Sequence, residues 1–398
     1  MTRHNLDLLI AIACSLLLQT VQAGEWSGYG GLEFRYFPQQ AWDPAQDYAT
    51  GSSLVFEPEY YHEWDAGNQS IAFVPHLRLD QRDGARSHFD VRELTYLRAA
   101  DGWEFRAGIR KVFWGVTEFQ HLVDIINQTD LVENPDREDK LGQPMVNLAL
   151  IRDWGTVDFF VLPWFRERNF HGREGRLRTQ PVVADDRSRF ASGAKERHVD
   201  FALRYSHVIG DFDIGLSHFY GTSRDPRLLP GVDNGRPVLI PFYDIINQTS
   251  LDLQATTGNM LWKLEALHRS GQGDTYNALA GGFEYTFVGI LESAIDLGVL
   301  GEYHYDDRGE GAPTIFEDDI AAGMRLAFND VQSTALLTGM ALDRNTGGKF
   351  FNMEASRRIG ENWLLELQTR FFFGQDKADP AFAFTRDDYL ELFLTYHF

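Results

Sequence analysis

The sequence predicts an all-β protein: a single closed antiparallel transmembrane β-barrel of about eighteen strands, with short turns on one rim and long loops on the other. Three observations carry this expectation. Apolar and polar side chains alternate with a period of two along successive stretches of strand length. Short and long connections alternate strictly between those stretches. The closing stretch keeps Leu390, Leu392, Leu394, Tyr396 and Phe398 on one side, against Tyr389, Glu391, Phe393, Thr395 and His397 on the other.

A two-residue period alone says only that a strand is half buried, as in any antiparallel sheet with one wet face. The ending adds more. Leu394, Tyr396 and the terminal Phe398 resemble the C-terminal signature of Gram-negative outer-membrane barrels. That resemblance implies insertion by the barrel-assembly machinery, with outer-membrane lipids around the barrel and lipopolysaccharide at its outer rim.

The N-terminus reads as an export signal over residues 1–23: Arg3 in a polar start, an apolar run from Leu8 to Leu18, and Val21-Gln22-Ala23 before Gly24. The run is too short to span a bilayer as a helix. Ala11-Ile12-Ala13-Cys14 loosely matches a lipoprotein box, but cleavage there would leave Leu16-Leu17-Leu18 on the mature chain. Loss of residues 1–23 also removes the only cysteine, so no disulfide or cysteine-held metal supports the rest. Residues 24–398 carry no Pro/Ser-rich linker and no sustained helical periodicity, which argues for one domain. A formal net charge of −21 disfavours nucleic-acid binding.

The strands follow in order. The first sets Leu32, Phe34 and Tyr36 against Glu33 and Arg35; the second sets Leu54, Phe56 and Tyr60 against Glu57 and Glu59. The third opposes Leu77 and Leu79 to His76, Arg78 and Asp80, and the fourth, Phe89 to Ala99, is too mixed to assign faces. The fifth puts Trp103, Phe105, Ala107 and Ile109 outward and Glu104, Arg106, Gly108 and Arg110 inward. Later strands repeat the pattern, with weaker signals near 144–152 and 243–257 that leave sixteen strands as the other even count. Turns fall near Asp65, Asp101, Asp153, Gly210, Gly258, Gly289, Asn329 and Gly360. Loops fall at 38–51, 81–88, 114–143, 166–197, 222–242, 270–276, 306–317, 343–348 and 374–386.

Charge singles out two loops. The loop at 114–143 holds Glu118, Asp124, Asp130, Glu133, Asp136, Glu138 and Asp139 against Arg137 and Lys140, whereas 166–197 is rich in arginine. A long loop after the fifth strand resembles the constriction loop of trimeric porins, which implies a lumen-folding segment, carboxylates on one wall and guanidinium groups on the other. The candidate pore-lining residues are Arg35, Arg78, Arg106, Arg110, Glu104, Glu118, Asp124, Asn127, Asp130 and Glu133. Solvated loop charge, or contact of the arginines with lipopolysaccharide phosphates, are the plainer readings. Asp124-Ile-Ile-Asn-Gln-Thr129 recurs as Asp244-Ile-Ile-Asn-Gln-Thr249, which suggests matching roles in the lumen or at its mouth.

The expected function is passive or weakly selective diffusion of small polar solutes, with a homo-oligomer compatible with it. Lys111-Val-Phe-Trp-Gly-Val-Thr117 and Lys140-Leu-Gly-Gln-Pro144 resemble parts of an uncharacterised proteobacterial porin-like family. The alternatives are a polysaccharide export channel similar in architecture to the alginate-export type, and an outer-membrane enzyme. Against an enzyme, the histidines are scattered singly, without a His-x-x-x-His pair, and no Gly-x-Ser-x-Gly elbow occurs. The acidic groups Asp136, Glu138, Asp139 and Glu317, Asp318, Asp319 do not match an EF-hand loop. Neither a cofactor nor a metal site is expected.

Overall fold

A computed structural model describes residues 24–398; the expected export signal, 1–23, lies outside them. The strands in chain order are β1 (Glu25–Tyr36), β2 (Thr50–Trp64), β3 (Gln69–Asp80), β4 (His88–Ala100), β5 (Trp103–Arg110), β6 (Gln143–Arg152), β7 (Gly155–Leu162), β8 (Arg189–Phe190), β9 (Asp200–Ile209), β10 (Phe212–Thr222), β11 (Arg227–Asp233), β12 (Arg236–Tyr243), β13 (Ile245–Thr257), β14 (Met260–Ser270), β15 (Tyr276–Phe287), β16 (Asp296–Asp306), β17 (Asp318–Ala327), β18 (Ala335–Asp343), β19 (Lys349–Ile359), β20 (Trp363–Phe373) and β21 (Tyr389–His397). All but β8, β11 and β12 join one 18-stranded antiparallel sheet. β1 pairs with β2 on one side and with β21 on the other, in a register that sets Leu32 opposite Leu394. The sheet is therefore closed, and no strand presents a bare edge to lipid.

The two-residue period sorts side chains between two solvents. Leu32 and Leu54 are 51% and 58% exposed on the outside, in a belt that includes Leu79, Phe201, Leu216 and Ile320. Between them Glu33, Arg35, Arg78, Glu265 and Arg370 point inward and are buried. On the closing strand Leu392, Tyr396 and Phe398 are exposed while Tyr389, Glu391 and Thr395 are buried, as the alternation requires. Trp363 and Phe373 stand exposed at opposite ends of β20, where aromatic rings meet the two membrane interfaces. No helix among the described residues is long and apolar enough to cross a membrane; the strands do so. An apolar outer belt on a closed barrel of this size is the construction of an outer-membrane protein.

β4 resisted assignment for a physical reason. Its pairing with β3 slips at Val74/Pro75, so that Val74 faces Glu93 and Pro75 faces Val91. Arg92 is the extra residue of this bulge, and the inward set passes from Asp90 and Arg92 to Thr95. Pro75 cannot donate to the ladder and sits at the irregularity.

One expectation needs correction. Residues 222–242, read as a plain loop, contain the hairpin β11–β12, to which β8 adds in parallel as a third strand. Asn234 and Gly235, with φ of 47° and 78°, make the tight turn, and Asn-Gly is the residue pair that such a turn favours. Val238, Ile240 and Tyr243 bury its inner face.

Leu203, outward and exposed near the middle of β9, tests the orientation of the sheet. Leu203→Arg is expected to cost about 2–4 kcal/mol, read by denaturant unfolding in phospholipid vesicles.

Candidate functional site

The connection between β5 and β6 is the segment 111–142, and its contacts run around most of the inner wall. It first seats on an apolar floor. Trp114, Val123, Ile125 and Ile126 pack with Met145, Phe160, Leu162, Ala202, Phe219 and Ile246 of the barrel strands. Inward positions on β6, β7, β10 and β13 thus carry large apolar groups where a water-filled barrel would carry polar ones.

Beside that floor, carboxylates of the wall receive the segment's backbone. Glu265 on β14 is fully buried; its Oε1 accepts from the amides of Val116 at 2.6 Å and Thr117 at 3.0 Å, and its Oε2 from Val123 at 3.1 Å. Glu302 on β16 accepts from the amides of Glu118 at 2.6 Å and Phe119 at 3.1 Å. Buried irregular backbone leaves N–H groups that must find acceptors, and these two side chains supply them. Glu118 in turn reaches Lys263 of β14 at 3.3 Å and Arg325 of β17 at 2.8 Å. Asp136 meets Arg370 of β20 at 2.8 Å, and Asn134 donates to Gln368 at 3.2 Å.

The segment's far end enters a knot of charge on β1, β3 and β4. Arg78 donates through Nε to both oxygens of Glu133, at 2.8 and 2.9 Å, and through Nη2 at 2.5 Å. Arg35 donates to the Glu133 carbonyl at 2.9 Å and is paired with Glu391 and Glu33. Arg86 donates to the Val132 carbonyl at 2.7 Å, and Arg92 lies 2.6 Å from Asp130. Burial pushes the Glu133 carboxyl up, but the Arg78 guanidinium, with His76 beside it, holds it well below the usual range.

The remaining sequence candidates fall elsewhere. Glu104 and Arg106 pair with each other on β5 and are partly exposed. Arg110 donates to Asn147 at 3.1 Å. Asp124 pairs with Lys140 at 2.9 Å, and Asn127 ties Val112, Arg110 and Leu141 together through three hydrogen bonds.

The arginine-rich connection 166–197 does not meet 111–142 through opposed charge. Among the described residues no ion pair joins its guanidinium groups to the carboxylates of that segment. They touch through Asn169 with Asp130 and through Arg168 with Gln128. Its buried arginines are engaged elsewhere: Arg176 with Asp387, Arg178 with Asp43 at 2.9 Å, and Arg168 with Asp225 at 2.8 Å. The exposed Arg173, Arg187, Arg189, Lys195 and Arg197 face outward from it.

Between 111–142 and the wall from β14 to β20 lies a cavity of about 200 Å³. One side carries Arg137, Arg168 and Arg269 gathered around Asp225. Burial pushes Asp225 up, yet those guanidiniums hold it far below the ordinary carboxylate range. The other side carries Glu118, Asp136 and Glu354, the last two paired with Arg370, and Phe316, Phe350 and Phe372 line the rest. The repeated hexapeptide contributes directly to the basic side. Gln128 accepts from Arg168 Nε at 3.2 Å and Gln248 accepts from Arg269 Nε at 2.8 Å, so equivalent glutamines brace two arginines of one cluster. The copies differ in backbone, the first irregular and the second opening β13, but Ile126 and Ile246 share one apolar core.

Glu265 and Glu302 were missed by sequence reading as anchors, although their inward parity was visible. Nothing local in the sequence shows which buried acid will face backbone amides. Glu265→Ala would leave three segment amides without an acceptor. Hydrogen exchange at Val116, Thr117 and Val123 is expected to accelerate by about 30-fold, equivalent to about 2 kcal/mol of lost protection, while β14 itself stays protected.

No family model matches the chain, and no curated protein matches it. Solved structures do. OccK11 (OpdR) of Pseudomonas aeruginosa aligns over 94% of this chain and 95% of its own, at 11% identity and a TM-score of 0.53. A triple mutant of the porin of Rhodopseudomonas blastica aligns over 94% of this chain and 100% of its own, at 12% identity and a TM-score of 0.45. At such identity the likeness to OccK11 is one of fold. By fold, this chain is a closed β-barrel of the kind seen in OccK11.

Proposed function

We propose that the protein is an outer-membrane channel for passive or weakly selective diffusion of small polar solutes, with 111–142 as its constriction. The observation that carries this reading is the cavity of about 200 Å³ beside that segment, with an arginine-rich side around Asp225 and a carboxylate-rich side around Arg370. Opposed charges across a narrow, low-dielectric passage orient polar solutes and disfavour apolar ones. Its volume lies below the roughly 300 Å³ at which pockets for drug-sized ligands begin, which fits a small solute better than a polysaccharide chain. The charge pattern also fits no catalytic assignment among the described residues.

In this reading the sequence candidates divide by role. Glu118, Asp124 and Asn127 line the passage, while Arg35, Arg78, Asp130 and Glu133 are struts that hold the segment to the wall. Glu104, Arg106 and Arg110 stand on the β5 wall outside that cavity. Arg137, Arg168 and Arg269 provide the basic side.

Planar-bilayer recording tests this. The wild-type protein is expected to conduct, and Arg137→Gln is expected to shift the reversal potential in a salt gradient towards cations, by about twofold or more in permeability ratio. A barrel that inserts but passes no current would overturn the reading. Leu394, Tyr396 and Phe398 are further proposed as the mark recognised by the barrel-assembly machinery. Deleting Phe398, whose ring stacks near Phe56, is expected to slow machinery-assisted insertion while leaving the stability of the inserted barrel nearly unchanged.

A further inference from the structure

Within the charge knot, two histidines converge on the constriction segment. His76 of β3 and His88 of β4 lie diagonally across one antiparallel pair, on the same inward face. His76 Nε2 is 3.1 Å from Glu133 Oε1, and His88 Nε2 is 3.5 Å from the same oxygen and 3.3 Å from Asp130 Oδ2. The Nε2 atoms and the Glu133 oxygen all lie within 4.8 Å of one another.

The other ring nitrogens determine what these atoms offer. His76 Nδ1 is 2.7 Å from a Glu57 oxygen, and His88 Nδ1 is 3.1 Å from the Arg86 carbonyl. A carboxylate and a carbonyl only accept, so each Nδ1 carries the proton. On a neutral ring Nε2 is then a lone pair, and both lone pairs face carboxylate oxygens. His88 Nε2 is buried with no hydrogen-bond partner, and so is Asp130 Oδ2, although Arg92 stands beside the latter. On neutral rings these are acceptors facing acceptors, an arrangement that a cation seated between them satisfies.

We infer that His76, His88 and Glu133 form a binding site for a divalent transition-metal ion of the zinc class, which clamps segment 111–142 to β3 and β4. A tetrahedral zinc with ligands at about 2.0–2.1 Å has ligand–ligand edges of about 3.3–3.4 Å, close to the 3.1 and 3.5 Å from the Glu133 oxygen to the two Nε2 atoms. Asp130 Oδ2 stands next to the fourth position. Glu57 and the Arg86 carbonyl are the outer partners that orient metal-bound imidazoles. Charge agrees as well. The ion pairs and hydrogen bonds around the site join the carboxylates of Glu33, Glu57, Asp80, Asp90, Asp130, Glu133 and Glu391 to the guanidiniums of Arg35, Arg78, Arg86, Arg92 and Arg166. Among these groups the acids outnumber the guanidiniums, a balance that favours a cation. Arg78 and Arg92 donate to the carboxylates and not to the imidazoles, so both ring lone pairs stay available.

The site is independent of the channel reading, and its test measures occupancy instead of current. The refolded full barrel in detergent, titrated at neutral pH with zinc chloride and separately with cobalt(II), is expected to bind one equivalent. Cobalt should give the visible absorption of a tetrahedral site. His88→Gln should abolish that band, and Glu57→Gln should weaken zinc binding by about 10–100-fold, with heat-modifiable electrophoretic migration reporting that each variant is folded. The wild-type titration decides the question even if a variant does not fold. No stoichiometric uptake by the wild-type barrel, or uptake unchanged in folded His88→Gln, would overturn the inference. So would imidazole NMR showing both rings doubly protonated in the presence of zinc.

Discussion

Closure of the sheet is the constraint on which everything else rests. With β1 joined to β21, every barrel strand has a neighbour on each side, and no row of backbone N–H and C=O groups is left facing hydrocarbon. Once closed, the sheet separates two solvents, and the pleat assigns successive side chains to one or the other. The belt of Leu32, Leu54, Phe201 and Ile320 outside and the charges of Glu33, Arg78, Glu265 and Arg370 inside are two results of one geometric rule.

The inner face does more than tolerate water. A segment of irregular backbone can lie inside a barrel only if its amides and carbonyls are paired. Here the wall provides acceptors on one side, Glu265 and Glu302, and donors on the other, Arg35 and Arg86. The acidic character of 111–142 is therefore spent largely in binding the segment to a basic sector of the wall. What faces the cavity is a smaller set of paired charges contributed by several strands and loops. The cavity is lined by Arg137, Arg168 and Arg269 around Asp225 and by Glu118, Asp136 and Glu354 with Arg370, charges from several strands and loops and not from two opposed loops.

The repeated hexapeptide shows how one sequence can serve equivalent ends from different backbones. In the segment and at the start of β13 alike, its isoleucine enters one apolar core and its glutamine steadies an arginine beside Asp225. The shared surroundings, and not a shared conformation, explain the recurrence.

Local pattern was sufficient for the barrel strands, for their facing apart from β4, and for the turns and the alternation of rims, because each follows from a period of two and from turn residues a few positions apart. The Asn234-Gly235 turn was equally local, and its hairpin was missed because the surrounding stretch was read only as a connection. Three features had no local signal. They are the bulge at Arg92, the apolar floor under Trp114, and the meeting of His76, His88 and Glu133. Each depends on which residues closure and strand register bring together across the barrel. Period assigns a side chain to the interior but is silent on its partner there, and that pairing was decided only when the sheet closed and segment 111–142 folded against it.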